Sequence, residues 1–435
     1  MKTTLFVLAL ICLSATALCS DQIPGKNQDH PIAITNATIH PVSGPVIQRG
    51  SILFEKGKIT GIGVLTTFPE GTEIIDASGK YVYPGLVSPD TYIGLMEIGA
   101  VRASNDYTET GRINPGARAE VAFHPESEII PVTRANGILT VMTAPRGGLI
   151  SGTGAVMMMD GWTWEEMTLK APSALYVNWP DMNINRSPNI RQTEEEQKKE
   201  REKNIAELTN AFADARAYMV ARKAKVNGVT HETDVRWEAM IPVLEKKVPV
   251  VVWASDVQQI NAAVAWAGKE DIRLIIGGGA DAWRLADLLK SKDIPVLAGA
   301  IHRMPSRRHE AYDEPFVLPK KLHDAGIRFA IISRDEAPHE RSLPYQAANA
   351  AAYGLPKEEA LKAITLSPAQ IFGVADRIGS LESGKDATLI VTSGDPLEII
   401  CNIEQAFIQG RKVDLTSRHT GLYEKYKEKY KRKKG

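Results

Sequence analysis

Residues 272–301 read IRLIIGGGADAWRLADLLKSKDIPVLAGAI. Two apolar runs, 272–278 and 294–301, enclose the amphipathic stretch DAWRLADLLKSKD. The runs are nearly continuous in Ile, Leu, Val and Ala, as strands covered on both faces require. The stretch between them carries its apolar residues at helical spacing. Strand, helix, strand in thirty residues is the repeat of an α/β protein with a parallel sheet.

The same type of run recurs on either side. It appears as KYVYPGLV (80–87), GILTVMTA (137–144), APSALYVNW (171–179), VPVVVWAS (248–255) and IRFAIIS (327–333). Seven strands are clear, and LISGTGAVMMM (149–159) supplies a candidate eighth. The count predicts a (β/α)8 TIM-like barrel over residues 80–377. A doubly wound sheet is the alternative, but no G-x-G-x-x-G turn follows the first strand. The long charged stretch 193–225 predicts a solvated helix outside the barrel.

Short runs broken by glycine precede and follow this region. IAITNATIHPVSG and GSILFEKGKITGIG lie within 31–79, and RIGSLESGKDATLIVTSGDPLE and IEQAFIQGRKVDL within 378–415. Both sets read as β-strands, so one small β-sandwich domain is expected from the two ends of the chain. Residues 416–435 form a basic tail; YEKYKEKYKRKKG holds seven basic and two acidic residues.

The first twenty residues carry Lys2, an apolar run from Leu5 to Leu13, and small residues before Asp21. This is the pattern of a secretory signal peptide, too short to anchor in a bilayer. The protein is expected to be secreted or periplasmic. A lipoprotein at Cys19 ranks second, because Leu18 stands where a small residue is usual. Of Cys12, Cys19 and Cys401, only Cys401 survives such cleavage, which excludes an internal disulfide and a cysteine-based zinc site. Formal net charge is zero, so nucleic acid is not an expected partner. No later run is long enough to span a membrane.

Three segments carry a family resemblance: YPGLV entering the first strand, LKAITLSPAQIFGV (361–374), and RIGSLESGKDATLIV with GDPLE beyond it. Together they resemble the amidohydrolase superfamily, in particular its imidazolonepropionase-like branch. The resemblance implies hydrolysis of non-peptide carbon–nitrogen bonds at the C-terminal mouth of the barrel. It implies one or two divalent metals, held by two histidines after strand one, one each after strands five and six, and an aspartate after strand eight.

Carried over by position, most of those ligands are missing. Asp90 and Tyr92 stand at the strand-one positions, Trp253 at strand five, and Gly277 or Gly278 at strand six. Asp335 alone matches, and it is the candidate catalytic residue; a helix or turn cap is its competing use. Asp90 and Asp335, with His302 and His339 after strands seven and eight, are the candidate metal ligands. The cofactor is one divalent metal (Zn, Mn or Mg) or none. Tyr92, Trp253, Arg303 and Arg307 are candidate substrate contacts, arginine because its planar fork suits carboxylate or phosphate.

Two functions remain open. One is an amidohydrolase-like hydrolase with an eroded or relocated metal site. The other is a catalytically silent barrel that binds a small molecule or partners a related amidohydrolase. A homo-oligomer is compatible with either.

Overall fold

The computed structural model describes residues 22–187, 189–224, 232–308, 310–334 and 336–432. The expected signal peptide, residues 1–20, lies outside the described residues. Five strands open the chain: β1 (Ile32–Ile39), β2 (Ile47–Glu55), β3 (Lys58–Gly63), β4 (Glu73–Asp76) and β5 (Tyr81–Pro84). The barrel strands follow as β6 (Leu86–Thr91), β7 (Ile138–Thr143), β8 (Ile150–Met158) and β9 (Thr168–Asn178). The barrel continues with β10 (Val250–Ala254), β11 (Leu274–Gly278), β12 (Val296–Ala298) and β13 (Phe329–Ile331). β14 (Leu389–Thr392), β15 (Ile403–Ile408) and β16 (Arg411–Lys412) end the series.

The first and last groups share one sheet in the order β16-β15-β14-β5-β1-β2-β3, with β4 beside β1. Leu389 opposite Pro84 and Val391 opposite Val82 join the two ends of the chain. Phe54 and Phe407 meet edge-on at 5.2 Å in the core of this sheet.

The run 80–87 is therefore two strands rather than one. Tyr81–Pro84 pairs in the small sheet and Leu86–Thr91 opens the barrel. Gly85 is the hinge: a Cβ there would lie 2.8 Å from Leu139 Cδ1, so only glycine lets the chain cross at this point.

The barrel sheet runs β6 to β13 in sequence order. Its seam is bridged by the short segment between the helices Lys357–Lys362 and Leu366–Ile371. Ile331 N donates to Ala363 O at 3.0 Å and Val87 N to Ile364 O at 2.8 Å. Every residue of β10 and β11 is buried, which explains their unbroken apolar sequence. Each buried Val or Ile side chain contributes roughly 1.5–3 kcal/mol.

One strand departs from the expected all-parallel barrel. β8 occupies the candidate eighth position but runs antiparallel to β7 and β9. Only residues 144–149 separate β7 from β8. A parallel crossover needs a dozen or more residues, so this link can only form a hairpin.

Outside the barrel, Glu194–Lys223 forms a 30-residue helix. A capping box between Thr193 and Glu196 starts it, satisfying two exposed backbone N–H groups. Leu208, Ala211, Phe212 and Ala215 are its buried residues; the rest of the helix faces solvent or is half-buried, as its charged sequence predicts.

Candidate functional site

The C-terminal ends of β6, β9, β10, β11 and β13 converge at the barrel mouth. Asp90, near the end of β6, is fully buried. Its Oδ2 accepts a hydrogen bond from Arg146 Nη2 at 2.8 Å. Arg146 sits in the glycine-rich loop after β7, where its backbone N donates to Tyr107 O at 2.6 Å. Gly147 and Gly148, at φ +85° and +63°, turn the chain behind it and bring the side chain inward. Burial opposes the charge on Arg146, but the Asp90 carboxylate outweighs it and raises the guanidinium's pKa.

This ion pair leaves polar atoms over. Asp90 Oδ1, Arg146 Nη1 and the Tyr176 hydroxyl are buried without a hydrogen-bond partner. Tyr176 lies on β9, and burial followed by the nearby Asp90 charge pushes its phenol pKa upward. Three unsatisfied groups beside one ion pair are costly in a closed core. They are expected where a bound molecule or water completes the set.

Aromatic rings and a second guanidinium line the mouth. Arg146 lies 5.6 Å from the ring centres of both Tyr92 and Trp253. Arg334, just beyond β13, lies 3.8 Å from the Trp253 ring centre. It is exposed and adopts φ +47°. Partial burial lowers its pKa; the Asp90 charge opposes this and the like charge of Arg146 adds to it.

Beneath these groups lies a fully buried carboxyl, Glu340. Ser88 Oγ meets its Oε1 at 2.7 Å and Ser333 Oγ its Oε2 at 2.5 Å. Burial raises its pKa to about 7, against the pull of the two serines. The Asp90 charge adds to the rise.

Trp253 and Gly277 are register partners on β10 and β11. A Cβ at Gly277 would lie 2.6 Å from Trp253 Cε3. The indole thus fills the space in which a strand-six side chain would begin. With Asp90 tied to Arg146, Tyr92 as the second strand-one residue, and an indole and a glycine at strands five and six, the described residues do not fit the imidazole-held metal of the family. Among the described residues there is no group of three or more His, Cys, Asp or Glu able to hold a metal ion. Asp335 lies outside the described residues, as do His231 and His309.

The remaining candidates lie in the loops after β12 and β13. Nε2 of His302 is 2.6 Å from Asn349 Nδ2, and His339 lies exposed in the turn Ala337–Ser342. Arg307 forks onto Asp281 at 2.6 and 2.9 Å and also donates to Glu310 at 2.8 Å. Arg303 reaches Met304 O at 3.1 Å and lies 3.6 Å from Glu310. The guanidinium of Arg307 is thus engaged in pinning its own loop to the residues after β11. Arg146 and Arg334 also stand at the mouth. Both adjoin barrel strands at their C-terminal ends, which is the signal that could have singled them out.

A separate cleft of about 490 Å³ opens at the opposite end of the strands. Lys246 and Arg328 in its lining are paired with Asp271 and Asp293 at 2.7 and 3.0 Å. Barrel active sites occupy the other face.

Comparison with known proteins finds likeness to amidohydrolases. The Amidohydrolase family model matches residues 310–415. The amidohydrolase tasK of Hapsidospora irregularis is 23% identical over 396 residues, 83% of this chain; the chain spans only 39% of that protein's length. The imidazolonepropionase of Fusobacterium nucleatum subsp. nucleatum is 22% identical over 374 residues, 79% of this chain and 84% of that protein. Among solved structures, an amidohydrolase from Thermotoga maritima MSB8 is 28% identical with a TM-score of 0.78. It covers 88% of this chain and 99% of its own.

Proposed function

We propose, on the premise that this chain belongs to the amidohydrolase superfamily, that its barrel mouth binds a small molecule carrying an anionic group. Arg146 supplies there the fixed positive charge that a metal supplies in the family. The observation that carries this is the Arg146–Asp90 pair, 2.8 Å apart with Asp90 fully buried and one nitrogen of Arg146 unpartnered. Arg334 against Trp253 adds a second guanidinium that an incoming carboxylate can reach. Tyr92 and Trp253 offer ring faces to the rest of the ligand.

A second reading is a hydrolase of a non-peptide carbon–nitrogen bond. The likeness to the Thermotoga maritima amidohydrolase across 88% of the chain favours it. In that reading Asp335, the residue that matches the family's strand-eight position, would serve as the general base for water. A partnership with a metal-bearing homologue is a variant of the first reading.

Metal analysis of the purified protein after loading with zinc, manganese or magnesium separates these readings. The binding reading expects no stoichiometric metal, no turnover of cyclic amides, and a raised melting temperature with benzoate that Arg334→Gln removes. One metal per chain that disappears in Asp335→Ala, together with turnover, would establish the hydrolase instead.

A further inference from the structure

The chain ends in a helix, Arg418–Arg432, with no buried residue. Fifteen residues rich in Lys and Tyr make a marginal helix in water. What holds it locally is side-chain pairing. Lys427 reaches Glu424 at 3.1 Å, Arg432 reaches Glu428 at 2.9 Å, and Lys427 and Lys429 lie over the rings of Tyr423 and Tyr426.

The arrangement around its axis is strongly divided. At about 100° per residue, Leu422, Tyr426, His419, Tyr430 and Tyr423 fall in one arc of about 100°. All three tyrosines are exposed, at 64%, 46% and 57% for Tyr423, Tyr426 and Tyr430. Lys427 and Lys429 flank this arc, and Arg418, Lys425, Lys431 and Arg432 occupy the opposite side. Six basic residues stand against Glu424 and Glu428, and Lys433 and Lys434 follow in the sequence.

We propose that this helix docks on an anionic phospholipid surface, lying in its plane with the tyrosine arc against the headgroup boundary. Tyrosine prefers that boundary because its ring is apolar and its hydroxyl is not. Flanking lysines reach out to anionic headgroups while their methylene stems cover apolar surface. Charge alone would suit any polyanion, including nucleic acid. The aligned aromatic arc favours a lipid surface, because it needs a medium that accepts ring and hydroxyl together. With eight basic and two acidic residues at or beyond Arg418, residues 1–417 carry a formal net charge of −6, so positive charge is concentrated at this helix. Among the described residues no helix is long and apolar enough to cross a membrane, so the attachment is peripheral.

Co-sedimentation of the purified full chain with phosphatidylglycerol–phosphatidylcholine vesicles tests this. Binding is expected to the mixed vesicles and not to phosphatidylcholine alone, weakening about tenfold or more between 0.05 and 0.5 M salt as the charges are screened. The triple variant Y423Q/Y426Q/Y430Q keeps every charge and is expected to lose most of the binding. Its melting temperature should match that of the parent, since the helix buries nothing. No binding to mixed vesicles at low salt, full binding by the triple variant, or tighter binding to duplex DNA than to vesicles would each overturn the proposal.

Discussion

Trp253 and Gly277 are register partners on adjacent barrel strands, and the indole of one occupies the space in which the side chain of the other would begin. The bare backbone at one position and the ring at its neighbour are one packing solution. The two positions are therefore coupled, and neither can be changed alone without cost.

Gly277→His places a Cβ 2.6 Å from Trp253 Cε3. Overpacking of this kind costs roughly 1–3 kcal/mol. Urea unfolding should show that loss in Gly277→His and recover most of it in the double variant Trp253→His/Gly277→His. Two additive losses would mean that the positions are not coupled.

Asp90→Asn removes the carboxylate that balances Arg146 and leaves a guanidinium largely enclosed without a counter-charge. Breaking a buried pair from one side costs about 3–5 kcal/mol. Replacing both partners, as Asp90→Asn/Arg146→Met, should cost less than the single change. A double-mutant cycle in denaturant checks the sign of this coupling.

Glu340 gives the fold a pH dependence. Its pKa is about 7 when folded against 4.5 for an ordinary glutamate. Below pH 4.5 both states hold the proton and stability is unaffected. Between 4.5 and 7 the folded state keeps a proton that the unfolded state has released, so stability falls as pH rises. At about 1.4 kcal/mol per pH unit, the loss from this group comes to roughly 3.5 kcal/mol by pH 8. Glu340→Gln can still accept from Ser88 and donate to Ser333. It should flatten this slope and exceed the parent in stability at pH 8, as measured by urea midpoints at pH 5 and 8.

Arg307→Ala frees the loop after β12 by removing the fork onto Asp281 and the contact with Glu310. Faster proteolytic cleavage within 302–314 is expected, with little change in benzoate binding at the mouth. Loss of that binding with an intact loop would assign Arg307 to the site.

The barrel and the small sheet were legible in the sequence, because strand runs, helical spacing and the glycine-broken ends are local patterns. The residues at the positions where the resemblance expects histidines, Trp253 and Gly277 among them, are likewise visible without coordinates. The spacing of β7 and β8 even contained the antiparallel strand, for six residues cannot form a crossover. The split of 80–87 at Gly85 was less visible, because both halves are apolar and differ only in which sheet they join.

The pairings at the barrel mouth were legible only in three dimensions. Asp90 and Arg146 are 56 positions apart, and Ser88 and Glu340 are 252 apart. No local pattern links them. Their pairing follows from barrel closure, which brings the ends of distant strands to one mouth. There each buried charge or carboxyl must find a partner that the chain order does not specify.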